Sequence, residues 1–188
     1  MLATLALAFA VKPVLEISLN PAKPVFTVGE EIKFTAPTRN VGSTTLLVVP
    51  QNDSMQAGRK APLCQLQFRP RGTEKWKVPA SEVGCGNVNP AKPEDFFELK
   101  PKASVDILAG MDWCVLDIQG FSTTPGDYEF RLVYDTTKPI QNWVGGPYSE
   151  VDLERAVASV RPYYDQVPKG VFVSNTAAIR LVVAPVKD

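Results

Sequence analysis

From Val14 to Leu19 the chain alternates, with Leu15, Ile17 and Leu19 apolar and Glu16 and Ser18 polar. A period of two marks a β-strand with one buried face. The same beat returns in Ile32, Phe34 and Ala36 against Lys33 and Thr35. It is clearest after the Pro125-Gly126 turn, where Tyr128, Phe130, Leu132 and Tyr134 fall on one face. Thr45–Val49 is almost continuously apolar, which predicts a strand covered on both sides. Leu63–Arg69 and Lys75–Pro79 flank the turn "RPRGTE" and predict a hairpin. "FFELKPKASVDIL" reads as strand, proline turn, strand, and "DWCVLDI" and "AAIRLVV" add two more. Between the first strands, "PAKPVFTVGEE" gives a proline-broken edge segment. Many short strands separated by turn residues predict an all-β fold, an antiparallel β-sandwich.

One stretch breaks the pattern. Leu153, Ala156, Val157 and Val160 recur at helical spacing behind Ser149, an N-cap residue with Asp152 three positions on. Arg161-Pro162 predicts the stop. A helical insertion over 147–170 therefore precedes the last strand. A helix this short is marginal alone and folds by docking its apolar stripe. Two hosts are open: the protein's own sandwich, which makes the helix a structural lid, or a partner, which makes it a binding element. Trp143, Tyr148, Tyr163 and Tyr164 flank it as candidate binding residues, since aromatics supply amphipathic contact area.

Composition narrows the chemistry. The 188 residues contain no histidine, which removes Ser-His-Asp and Cys-His catalysis and histidine-containing zinc sites. Twenty basic and twenty acidic residues cancel, so no field gathers nucleic acid. Aspartates are plentiful, but no spacing sets two of them up for glycoside hydrolysis, and no calcium-loop pattern occurs. No cofactor or metal is expected, and an enzyme is not expected. Seventeen prolines argue against a helical bundle.

Residues 1–10 read as a signal-peptide remnant, with a short apolar run and Ala8-Phe9-Ala10 as a cleavage-like site. The run is too short to span a bilayer. Residues 11–188 are then one exported domain, whether periplasmic, cell-surface or secreted. Three cysteines fit an oxidising compartment. Cys64 alternates with apolar residues in a strand, and the Leu63–Pro79 hairpin brings it close to the loop holding Cys85. The expected pair is Cys64–Cys85, with three free thiols or a Cys85–Cys114 bridge as alternatives.

Several pieces carry a resemblance: "GEEIKFTAPTRNVGSTTLLV", "LKP", "PGDYEFRLVYD", Trp143-x-Gly145 and Ser174-Asn175. Together they resemble exported bacterial immunoglobulin-like β-sandwich domains, a type with no common assigned function. More distantly the chain is similar to small bacterial proteinase-inhibitor sandwiches. "PGDYEF" resembles the corner at which such sandwiches bond a tyrosine hydroxyl back to the backbone, an ordinary inward aromatic being the alternative. The insertion at 147–170 departs from the pattern, where a short loop is implied. The expectation is a non-catalytic exported binding or structural accessory domain that recognises another protein or a cell-surface polymer through its loops. One alternative is a proteinase inhibitor presenting the extended loop Pro79–Glu94. A second is a carboxylate-dependent hydrolase.

Overall fold

The computed structural model describes residues 14–50, 55, 60–79, 90–109, 124–145 and 149–184. Among them the chain is mostly β. In order run β1 (Leu15–Ile17), β2 (Asn20–Pro21), β3 (Val25–Thr27), β4 (Phe34–Thr35), β5 (Pro37–Asn40) and β6 (Leu46–Val48). There follow β7 (Leu63–Pro70), β8 (Phe97–Leu99), β9 (Ser104–Asp106) and β10 (Gly126–Asp135). The helix α1 (Glu150–Tyr164), β11 (Val171–Val173) and β12 (Ala177–Val182) complete the order.

β10 is the spine, because its alternation is strict over ten residues: Tyr128, Phe130, Leu132 and Tyr134 are all buried, while their neighbours are half-exposed. β7 lies antiparallel along one edge for its whole length, from Leu63 opposite Asp135 to Pro70 opposite Tyr128. The other edge is shared by two strands. β12 pairs with Gly126–Phe130 and β11 with Val133–Asp135, both antiparallel. β3 then joins β12 in parallel, with Val25 opposite Arg180. A second sheet has the order β1-β5-β9, and two ribbons, β2-β4 and β6-β8, complete the pairing.

The break between β11 and β12 is made by Ser174-Asn175. The Ser174 hydroxyl accepts from the Leu132 amide at 2.9 Å, keeping β10 bonded through the kink. The Asn175 side chain then acts as a rung. Its Oδ1 accepts from the Leu19 amide at 2.8 Å and its Nδ2 donates to the Leu19 carbonyl at 3.2 Å. Leu19, one residue short of β2, is thereby tied to the large sheet. The sheets share one core, in which Phe34 meets Phe130 at 5.0 Å between ring centroids. A fully buried aromatic of this kind contributes roughly 2–3 kcal/mol through area removed from water.

Two expectations change. Lys75–Pro79 does not form a full strand: its pairing is a single bridge between Lys77 and Phe68, and Val78 beyond it is exposed. Pro79 has no amide to continue the ladder. The helix, in turn, does not stop at Pro162 but runs to Tyr164. Proline there removes one amide near the helix end, while the last turn is held by tertiary contacts of Tyr163 and Tyr164. The segment "DWCVLDI" and residues 1–13 lie outside the described residues.

Candidate functional site

Ser149 caps α1 as the sequence predicts, its hydroxyl accepting from the Asp152 amide at 3.2 Å. Val160 on the apolar stripe is fully buried, and Leu153, Ala156 and Val157 pack against the core. The helix is therefore docked on its own protein. Trp143, a candidate binding residue, is fully buried. Its ring stacks on Phe96 with an interplanar angle of 8° and meets Tyr164 edge-on at 5.1 Å. Tyr163 packs on the other partner, 5.3 Å from Phe96. Both tyrosines are half-buried and serve the helix–core contact. Tyr148 lies outside the described residues. Lys169 closes this cluster, with its amine over the Tyr164 ring at 3.2 Å and donating to the Tyr164 carbonyl at 2.7 Å. Burial draws its pKa down to about 8, against the opposing charge of Asp165.

Cys64 is a free thiol among the described residues. It faces inward from β7 beside Tyr134, fully buried, and burial pushes its pKa far above the ordinary thiol range. A buried thiol of this kind is unreactive. Cys85 lies outside the described residues, as do residues 80–89 of the loop expected for an inhibitor. Among the described residues no group of three or more acidic or cysteine side chains is placed to hold a metal. No helix among them is long and apolar enough to cross a membrane.

The outer face of the large sheet is organised differently from the buried aromatic cluster. The strand register sets an arginine against a carboxylate twice. Arg69 on β7 stands opposite Glu129 and bonds it through Nε at 2.8 Å and Nη2 at 2.7 Å. Arg180 on β12 stands opposite Asp127 and bonds it through Nε at 2.7 Å and Nη2 at 3.2 Å. The Arg180 guanidinium holds the Asp127 carboxyl below its usual range. That second pair lines a shallow cleft of about 240 Å³ together with Arg71, Pro24 and Val25.

Arg131, two residues beyond Glu129 on the same face of β10, has no carboxylate opposite it. Its opposite number is Gln67, whose Oε1 accepts from Arg131 Nε at 2.8 Å. Among the described residues neither terminal nitrogen of Arg131 has a hydrogen-bond partner. The group is nevertheless fixed in place, because its guanidinium carbon lies 4.4 Å from the centroid of the Trp76 ring. Arg69 meets the same ring at 4.3 Å. The Phe68–Lys77 bridge brings Trp76 opposite Arg69, within reach of both. Each contact of this type contributes roughly 0.5–2 kcal/mol, rising with desolvation. Beside Arg131 on the same face sits Val133, with Val173 opposite it on β11. Val173 and Val171 are 47% and 57% exposed.

Sequence reasoning passed over Arg69, Trp76 and Arg131, which are separated by up to 62 positions (69 to 131). A signal was present: Gln65, Gln67 and Arg69 occupy the outward beats of one strand, and Glu129 and Arg131 those of another. Only the register joins them. No family model and no curated protein matches the chain, so the site rests on its own geometry.

Proposed function

We propose that the chain is an exported, non-catalytic immunoglobulin-like β-sandwich module that binds another macromolecule through the outer face of its large sheet. Three features support the sandwich. The strand order β7-β10-β12-β3 stands beside a β1-β5-β9 sheet, and an early strand pairs in parallel with the last one. The Tyr128 hydroxyl donates to the Thr124 carbonyl at 3.0 Å, the corner bond that such sandwiches make at the start of their penultimate strand. The single observation that carries the binding function is the Trp76–Arg131 cluster beside exposed Val171 and Val173, held on a rigid sheet. Rigid Trp and Arg groups at the edge of an apolar patch dominate protein recognition surfaces. The helix, by contrast, spends its stripe inward.

The test is retention of envelope or secreted material on the immobilised protein. A partner lost with Trp76→Ser and Val173→Ser, but kept with Val151→Ser on the exposed side of α1, is the expected result. Retention that survives the sheet-face changes and fails with the helix change would overturn the assignment of the surface.

A further inference from the structure

Resting on the binding-module reading above, we propose that the Arg131 surface takes an extended protein segment carrying a carboxylate two residues from a branched aliphatic side chain. The charge pairing on the sheet face leads there. Arg69 and Arg180 are each paired with a carboxylate, Glu129 and Asp127, and the third acid of the face, Asp135, stands opposite Leu63 and Val171 and accepts from Thr137. The register gives Arg131 a neutral partner in Gln67. Arg131, at the middle of β10, is thus the arginine of these three with no carboxylate opposite it. Burial, with the nearby Arg69 charge adding to it, disfavours the Arg131 cation as it stands. A carboxylate arriving at its free terminal nitrogens supplies the opposite charge that offsets both effects. Stacking on Trp76 has already fixed the guanidinium plane, so little further freedom is lost on binding.

The aliphatic element follows from spacing. Arg131 and Val133 are two residues apart on one strand, which sets them about 6–7 Å apart on the same face. An extended segment repeats its own side chains at that interval, so one carboxylate and one aliphatic group two residues apart match the pair. Val173 beside Val133 widens the apolar shelf. An acidic polysaccharide satisfies Arg131 but leaves the valines facing water, which favours a protein.

The experiment is an NMR titration of the labelled chain with acetyl-Asp-Thr-Val-amide, its Asn-Thr-Val and Asp-Thr-Ser counterparts, and tetragalacturonate. The Asp-Thr-Val peptide is expected to shift Arg131 Nε, Trp76 Nε1 and the Val173 methyls. Loss of the charge-assisted bond in the Asn peptide weakens binding about tenfold or more, and the Ser peptide is also weaker. Arg131→Gln is expected to abolish the preference for Asp over Asn while leaving the rest of the spectrum in place. Equal binding of the Asp and Asn peptides, shifts centred elsewhere, no shift at all, or tighter binding of tetragalacturonate overturns the proposal. A partner captured through Trp76 and Val173 that is indifferent to Arg131→Gln removes this inference and leaves the binding-module reading standing.

Discussion

Replacing Tyr134 by phenylalanine removes one oxygen atom and strands two backbone groups. The Tyr134 hydroxyl accepts from the Val49 amide at 3.0 Å and donates to the Val49 carbonyl at 3.2 Å. Tyr134 and Val49 are both buried, so water does not replace the lost partner. A buried donor or acceptor left unpaired costs about 1–3 kcal/mol. With two of them on one peptide, partly relieved by local adjustment, Tyr134→Phe is expected to destabilise by about 2–4 kcal/mol. For a chain of this length that is a fall in Tm of about 4–16 °C. Urea unfolding with an unchanged m-value measures it directly. Tyr128→Phe is the matched control: it removes one bond to the carbonyl of exposed Thr124, which water can take up, so the loss is about 1 kcal/mol or less. A Tyr134→Phe loss below about 0.5 kcal/mol, or one no larger than that of Tyr128→Phe, would refute the reasoning. The pH dependence gives a second reading of the same oxygen. Burial raises the Tyr134 pKa well above the tyrosine range, against the opposing bond to Val49. The folded state therefore holds a proton that the unfolded state releases near pH 10. The contribution of Tyr134 is complete below that pH and falls by up to about 1.4 kcal/mol per unit above it. Tyr134→Phe lacks this slope.

Cys64, in a chain with Cys85→Ser and Cys114→Ser, is expected to resist thiol reagents at neutral pH and to react at a rate that follows unfolding in urea; fast modification of the folded protein contradicts its burial. Its raised pKa also means that stability present below the unfolded thiol pKa, about 8.5, declines as pH rises beyond it, and Cys64→Ala removes that decline. Lys102 holds a left-handed φ of 66° after Pro101, so Lys102→Gly is expected to stabilise by up to about 1 kcal/mol in thermal unfolding; destabilisation would point to side-chain contacts that outweigh the strain. Trp143→Ala empties a fully buried site and is expected to cost about 3–5 kcal/mol, with hydrogen-exchange protection lost in α1 before β10. Equal loss in both would mean that the helix is not a separate unit resting on Trp143.

How much of this could be read in advance depended on where each signal lay. β10 was plain in the sequence because burial alternates strictly along it, and the Ser149 cap was plain because capping is local. The end of α1 was not: Pro162 is a genuine stop signal, overruled by the stacking of Tyr163 and Tyr164 on Phe96 and Trp143. Trp143 and the tyrosines carry the same amphipathic character whether they face a ligand or a core, so composition could not distinguish the two. The Arg131 cluster was hidden for another reason. A residue opposite Gln67 differs from one opposite Glu129 only once the register of β7 on β10 is known.

The parallel pairing of β3 with β12 also orders events in time. Residues 25–27 leave the ribosome more than 150 positions before residues 180–182, their partners. Until the later strand emerges, β3 has no neighbour in the large sheet and the Gly126–Phe130 edge of β10 stays open. Folding during synthesis therefore halts at an incomplete sheet with an unprotected edge, the form most open to pairing with other chains. Holding the chain unfolded until all of it is available avoids that state.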